Sequence, residues 1–389
     1  MSDSDRRSIA VVGAGLGGAF AAYLLGRAGH RVTVFEKRPD PRRGPAGEGR
    51  SINLGISQRA LDTLAGAGVS APLADISTAM LGRLIHGRGG ALDFRAYGER
   101  DGSPASLVLT PKEPVHAVQR AALARVLIEV ADRVPDVEFR FESALRSVDV
   151  LTGALEFGRG TGGERTRVDA ELIVGADGAF STVRQAIKGT SEFDERMEEL
   201  EIGYKQLTIR QPTDEAEPLR ADVHHLWPRD GFVMTGLPNP DGSFTATLFA
   251  AREMLESIST AEDVRTFFGD HFDDVAALMP ALEEEYLARP ASGLVTLSFS
   301  PWRVGRAVLL GDACHAFMPF SGQGANAAIL DAAALSKCLE GQAPNTEAGL
   351  EAYESERRAE TDAIGHLSSV MTPLILWLAE PLMSPAGTR

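Results

Sequence analysis

The chain has 389 residues, 44% hydrophobic and 24% charged, with no low-complexity tract, a composition that suits one large globular domain or two intertwined ones. Its formal net charge of −15 excludes a nucleic-acid partner, because phosphate backbones require a basic surface. Two cysteines, Cys314 and Cys338, are too few for a disulfide framework and point to the cytoplasm, and the absence of C-x-x-C and H-E-x-x-H patterns leaves no metal site to expect.

Ile9–Val12 reads as a short buried strand, followed by GAGLGG, a helix over Ala19–Ala28 and a second strand, Val32–Phe35, ending on Glu36. The polar start and the early glycine turn make the first apolar run a strand rather than a secretion signal. Pro39–Gly49 is a loop, and Gln58–Ala67 an amphipathic helix. Short strand-like pieces with glycine turns occupy residues 80–112. A long helix is predicted over Val118–Val134, then strands Val137–Phe141, Ser147–Val150, Ala154–Phe157 and Glu171–Gly175. From about 200 to 295 the pattern is of β type, including Phe232–Leu237 and Ser243–Ala250, with acidic helices around 261–288. The strand Arg306–Leu310 leads into GDACHAFMPFSGQGANAA, helical after its glycines, and acidic helical sequence continues to about 370. Leu374–Ala379 is apolar but bounded by Pro373, Glu380 and Pro381, well short of the ~20 apolar residues of a membrane span, so a docking helix and no transmembrane segment is expected.

Three places carry chemistry. In Gly13-x-Gly15-x-x-Gly18 the turn after the strand needs Gly13, close approach of a pyrophosphate needs Gly15, and tight helix–strand packing needs Gly18. Glu36, at the end of the second strand, is placed to accept hydrogen bonds from ribose hydroxyls, which suits FAD and NAD equally. Asp177-Gly178 and Gly311-Asp312 each follow a buried strand, where an acid can meet a ligand hydroxyl, although either pair alone reads equally well as a β-turn. Gly322, Gly324 and Asn326 precede an alanine-rich helix whose first N–H groups can face an anionic or electron-rich ring edge.

In combination, GAGLGG…FEKR, GADGAFSTVR and GDACHAFMPFSGQGANAA resemble the three-motif set of the class A flavoprotein aromatic hydroxylases, the para-hydroxybenzoate hydroxylase-like group, over residues 13 to about 335. Within that group GRSINLGIS at 49–57, GRLIHGRGG at 82–90, HHLWPRDGFVMTGLPNPDGSFTATLFA at 224–250 and the flavin loop resemble the kynurenine 3-monooxygenases. The resemblance implies an α/β fold: a Rossmann-type FAD-binding domain over 1–75, 101–185 and 296–345, an inserted β-sheet substrate domain over 76–100 and 186–295, and a C-terminal helical segment over 346–389. It implies FAD contacts at Gly13, Gly15, Leu16, Gly18, Glu36, Lys37, Arg50 and Arg120, and again at Asp177, Asp312, Pro319, Gly322, Gly324, Ala325 and Asn326.

On the substrate side the resemblance assigns a carboxylate clamp to Arg83 and Tyr97, an aromatic wall to Phe320 and a further aromatic candidate to Phe232. It implies a small aromatic substrate, kynurenine or a related aryl amino acid, hydroxylated with NAD(P)H and O2 through a flavin C4a-hydroperoxide, with no acid or base catalyst assigned. His315 is expected to orient its loop rather than act as a base. Ser321 and Ala325 depart from the family's flavin loop, and Asp362 stands where the family has a substrate-touching Asn, so the pocket wall is expected to differ. The family continues into a longer, partly membrane-associated tail; a monomer or homodimer is expected here. A flavin halogenase is disfavoured because Trp227, Trp302 and Trp377 are isolated, without a W-x-W-x-I-P stretch; a flavin hydroxylase of another aromatic natural-product intermediate, a flavoprotein reductase or dehydrogenase without oxygen insertion, and a ligand-sequestering flavoprotein stay open.

Overall fold

The first apolar run forms β1 (Ser8–Val12), the centre of a parallel sheet in a computed structural model that describes residues 6–44, 52–99, 113–158, 165–212, 218–288, 290–340 and 346–377. Beside it lie β2 (Arg31–Phe35) and β12 (Leu172–Gly175), then β8 (Val137–Arg140) and β19 (Ala307–Leu309), with β18 (Arg303–Val304) antiparallel at one edge. LIVG at 172–175 is buried throughout, as parallel strands covered on both faces require. Helix Leu16–Arg27 packs against helices Arg120–Asp132 and Gly324–Leu339. A side sheet of β9 (Ala144–Asp149), β10 (Ala154–Gly158) and β11 (Arg165–Asp169) joins this core where Phe157 stacks on Phe35, ring centroids 3.8 Å apart.

The second large unit is an eight-stranded sheet, ordered β20 (His315–Ala316), β17 (Ser292–Ser300), β13 (Asp194–Ile209), β16 (Phe244–Ala251), β15 (Phe232–Pro238), β14 (His224–Arg229), β5 (Gly82–His86) and β6 (Leu92–Ala96). All its pairings are antiparallel except β14 with β5. One face carries an apolar core shared with the helices at 261–287, built on Phe244, Phe268, Phe272 and Tyr286. Side chains alternate across a strand, so the opposite face of β14, β15 and β16 is free to line a cavity. A three-stranded sheet of β3 (Asn53–Ser57), β7 (Val115–Gln119) and β4 (Ser77–Met80) lies beside it.

Two boundaries differ from the sequence reading. Residues 115–119 form β7, between β3 and β4, so the helix expected from Val118 begins at Arg120. The eight-stranded sheet continues past residue 295, through β17 to Ser300 and β20 at His315–Ala316. The helix Thr346–Trp377 follows, and among the described residues no helix is long and apolar enough to cross a membrane.

Candidate active site

A cavity of about 740 Å³ opens between the two large sheets, within the usual ~300–1,000 Å³ of small-molecule sites. The parallel sheet contributes the glycine turn. Gly13 has φ 103°, and a Cβ there would collide with the Ala176 carbonyl; a Cβ at Gly18 would collide with the Gly13 carbonyl. A Cβ at Gly15 would meet nothing within 4 Å, because that position faces the cavity. The helix beginning at Leu16 has no side-chain cap, and neither does the one beginning at Gly324, whose start also lines the cavity. The helix beginning at Arg120, another lining residue, is uncapped as well. Uncapped helix starts on one cavity leave N–H donors and positive dipole ends for anionic groups.

Asp312 lines the cavity; burial raises its carboxyl pKa, and Arg120, also in the lining, and His315 oppose the rise. His315 itself is buried, its Nε2 2.6 Å from Asp331 Oδ2. Asp331 also accepts from the Gly311 N–H at 3.2 Å and from Arg357 Nε at 2.8 Å. Burial works against the Asp331 carboxylate, yet His315 and Arg357 hold its pKa below the usual range. This triad ties the Gly311–Asp312 turn to the two C-terminal helices, so His315 orients the loop. Pro319, Phe320, Gly322 and Ala325 line the cavity, with Phe320 tilted against Phe249 at 4.9 Å between centroids. Asn326 is turned inward: its oxygen accepts from the Ser57 N–H at 3.0 Å, and its amide donates to the Gly55 and Gly322 carbonyls at 3.1 and 2.9 Å.

The wall from the eight-stranded sheet holds Arg83 and Tyr97. Arg83 Nε is buried without a hydrogen-bond partner. Burial raises the Tyr97 pKa while the neighbouring Arg83 opposes the rise, so the phenol keeps its proton and can donate. Around them stand Met80, Leu226, Val233, Leu237 and Phe249. A cation and a hydroxyl donor set in an apolar wall suit a carboxylate carried on an apolar or aromatic body.

Several expected residues lie elsewhere. Phe232 is on the opposite face of β15, packed against Phe267, His271 and Phe272, and period-two alternation gives its expected place to Val233. The Asp177 carboxylate accepts from Ser181 Oγ at 2.5 Å and the Thr182 N–H at 2.7 Å, so it caps the helix Thr182–Lys188, while Gly178 and Ala179 line the cavity. Glu36 accepts from the Ala14 and Arg38 N–H groups, each at 2.9 Å, which binds it to the glycine turn outside the lining. Lys37 is exposed, Asp362 is exposed and paired with Arg358 at 3.7 Å, and Arg50 lies outside the described residues. Sequence reasoning missed His224, Thr235 and Thr247, and also Leu54 and Gly55 of β3, all in the lining. Alternation along β14 to β16 groups residues by face but does not say which face lines the cavity.

A family model described as an FAD binding domain matches residues 6–366. The kynurenine 3-monooxygenase of Salinispora arenicola (strain CNS-205) is 42% identical over 369 residues, covering 94% of this chain and 79% of the relative. That of Myxococcus xanthus (strain DK1622) is 35% identical over 372 residues, covering 95% and 78%. Among solved structures, P. aeruginosa PqsL in complex with 2-aminobenzoylacetate aligns with a TM-score of 0.76 at 21% identity, over 95% of this chain and 96% of that one. The tetrameric form of 2-methyl-3-hydroxypyridine-5-carboxylic acid oxygenase also gives 0.76, at 23% identity, over 95% and 92%. These two likenesses are of fold.

Proposed function

The chain belongs to the FAD-binding family that holds the kynurenine 3-monooxygenases, and on that footing we propose that it hydroxylates kynurenine, or a closely related aryl amino acid, at ring position 3. It is an FAD-dependent aromatic monooxygenase that uses NAD(P)H and O2. The residues present fit the cofactor: bare space at Gly15, uncapped helix starts and the Asp312 carboxylate on one cavity. In this reading the N–H groups behind Gly15 and Leu16 take the pyrophosphate and Asp312 the ribitol hydroxyls, with Arg120 beside it; Glu36, fixed to the glycine turn just outside the lining, keeps free lone pairs for the adenosine ribose. The helix start at Gly324 then faces the electron-rich edge of the flavin ring. Bound there, FAD supplies electron transfer from NAD(P)H to O2 and an electrophilic oxygen for the ring.

The substrate reading is carried by the Arg83–Tyr97 pair, whose guanidinium has an unmet buried donor on the cavity. The pair holds the carboxylate, and Phe320, Phe249, Leu226 and Val233 keep water from the ring. The proposed setting is the cytoplasm, as a monomer or homodimer, in keeping with two free cysteines. The division of labour follows the sheets: cofactor on the parallel sheet and substrate under the eight-stranded one. The test is NADPH consumption by the FAD-loaded protein with kynurenine and labelled oxygen gas. Substrate-stimulated turnover giving a product heavier by one labelled oxygen is expected. Turnover that kynurenine does not stimulate, or that yields only peroxide, overturns the reading.

A further inference from the structure

The wall that presents Arg83 holds a second polar atom without a partner. Strand β14 runs parallel to β5 with His224 in register with Arg83, and adjacent strands lie about 4.8 Å apart. Both side chains line the cavity, with Tyr97 and Thr235 nearby in the same wall. Nε2 of His224 is buried and has no hydrogen-bond partner. The next residue, His225, is fully engaged: its Nδ1 lies 2.8 Å from His86 Nε2 and its Nε2 2.9 Å from the Arg220 carbonyl. Buried polar atoms are overwhelmingly satisfied, so one left bare on a cavity wall marks where a ligand atom belongs. Burial drives the His224 pKa well below its usual value, and Arg83 and His225 push the same way, so the ring is neutral. A neutral imidazole carries its proton on either nitrogen, and the tautomer protonated at Nδ1 offers a lone pair at Nε2. A lone pair cannot bind the carboxylate that Arg83 takes; it can accept an N–H from the atom beside it.

We propose that His224 binds the amino group on the carbon adjoining the substrate carboxylate, so that the site selects an amino-acid head over a bare arylalkyl carboxylate. The proposal rests on the kynurenine reading and adds to it a residue and a criterion of selection. At one register position the wall then carries two complementary contacts, a guanidinium for the carboxylate and a neutral imidazole for the amine.

The experiment is an equilibrium titration of the oxidised FAD enzyme, following the ligand-induced change in flavin absorbance. The ligands are kynurenine and its deamino analogue, 4-(2-aminophenyl)-4-oxobutanoate. The parent is expected to bind kynurenine about tenfold more tightly than the analogue, the size of one charge-assisted hydrogen bond. H224L is expected to lose that factor on kynurenine alone, with the Kd of the analogue unchanged. The unchanged analogue reports an intact pocket, and H224F, similar to histidine in shape but without a ring nitrogen, serves if H224L does not retain FAD. An equal preference in parent and variants overturns the role of His224 and leaves the kynurenine reading standing. Failure of both ligands to perturb the parent flavin overturns that reading, and this proposal with it.

Discussion

Arg83→Ala separates a binding cation from a structural one, because the two roles predict different outcomes for stability. Arg83 is half-buried and hydrogen-bonded to Tyr97, but its Nε is buried without a partner, so in the unliganded fold one donor is unmet. The lost Tyr97 contact and the relieved donor offset each other, so removal should leave the melting temperature of the unliganded FAD enzyme nearly unchanged. The substrate carboxylate supplies the missing partner. One charge-assisted pair is worth about 1.5–3 kcal/mol, or roughly 10- to 150-fold in Kd. Flavin-absorbance titration with kynurenine should show that loss at constant FAD content. Arg83→Lys should recover only part of it, since a point charge replaces a two-pronged donor. If the variant melts clearly lower while its Kd is unchanged, Arg83 belongs to the framework and the clamp is misassigned.

Asp312→Ala should weaken FAD binding by roughly 10- to 150-fold through loss of a charged acceptor, measured as flavin retained after gel filtration; equal flavin content would reduce Gly311-Asp312 to a turn. Gly15→Ala and Gly18→Ala should part company. The first adds a methyl where the protein has nothing within 4 Å, so it folds normally and loses FAD, whereas the second strikes the Gly13 carbonyl and lowers soluble yield; two variants with identical flavin content and stability would contradict this geometry. Asp331→Ala, which leaves Arg357 with Glu360 alone and removes the acceptor of His315, should cost about 1–3 kcal/mol in denaturant unfolding. Because the folded Asp331 pKa is depressed, its stabilisation is full above the unfolded value of about 3.9 and fades as pH falls through the folded one. The gap between parent and variant should close on acidification, and a gap that widens would contradict the assigned sign.

Local steric rules made the glycine turn readable: Gly13 and Gly18 are fixed by backbone contacts within one strand–helix unit, and those need no knowledge of the rest of the chain. The two acidic turns show where local reading stops. Asp177 and Asp312 both follow a buried strand, yet a helix begins at Thr182, close enough for its first N–H groups to capture the Asp177 carboxylate. After Asp312 the next α-helix begins only at Gly324, so that carboxylate is left to the cavity. The deciding variable is the distance to the next helix start. Only the first half of β13 lies outside the β-type pattern read from about 200 onward: DERMEELE is largely exposed, so it shows no apolar alternation. Charge and register, rather than a buried face, define it.

The substrate wall depends on parity, which a local pattern cannot set. Phe232 and Val233, like His224 and His225, are adjacent residues sent to opposite faces, and a shift of one position would exchange their roles. What fixes the parity of β14 is its pairing with β5, from a segment about 140 residues earlier, where His224 stands opposite Arg83. The same pairing puts His225 beside Leu84 and turns it toward His86 and the helical layer. A resemblance can carry Arg83 into the site by matching its motif. It cannot say which of two consecutive histidines shares the cavity with it, because that follows from a contact between distant strands. His224 is thus the residue at which the three-dimensional pairing adds chemistry that the one-dimensional motif leaves ambiguous.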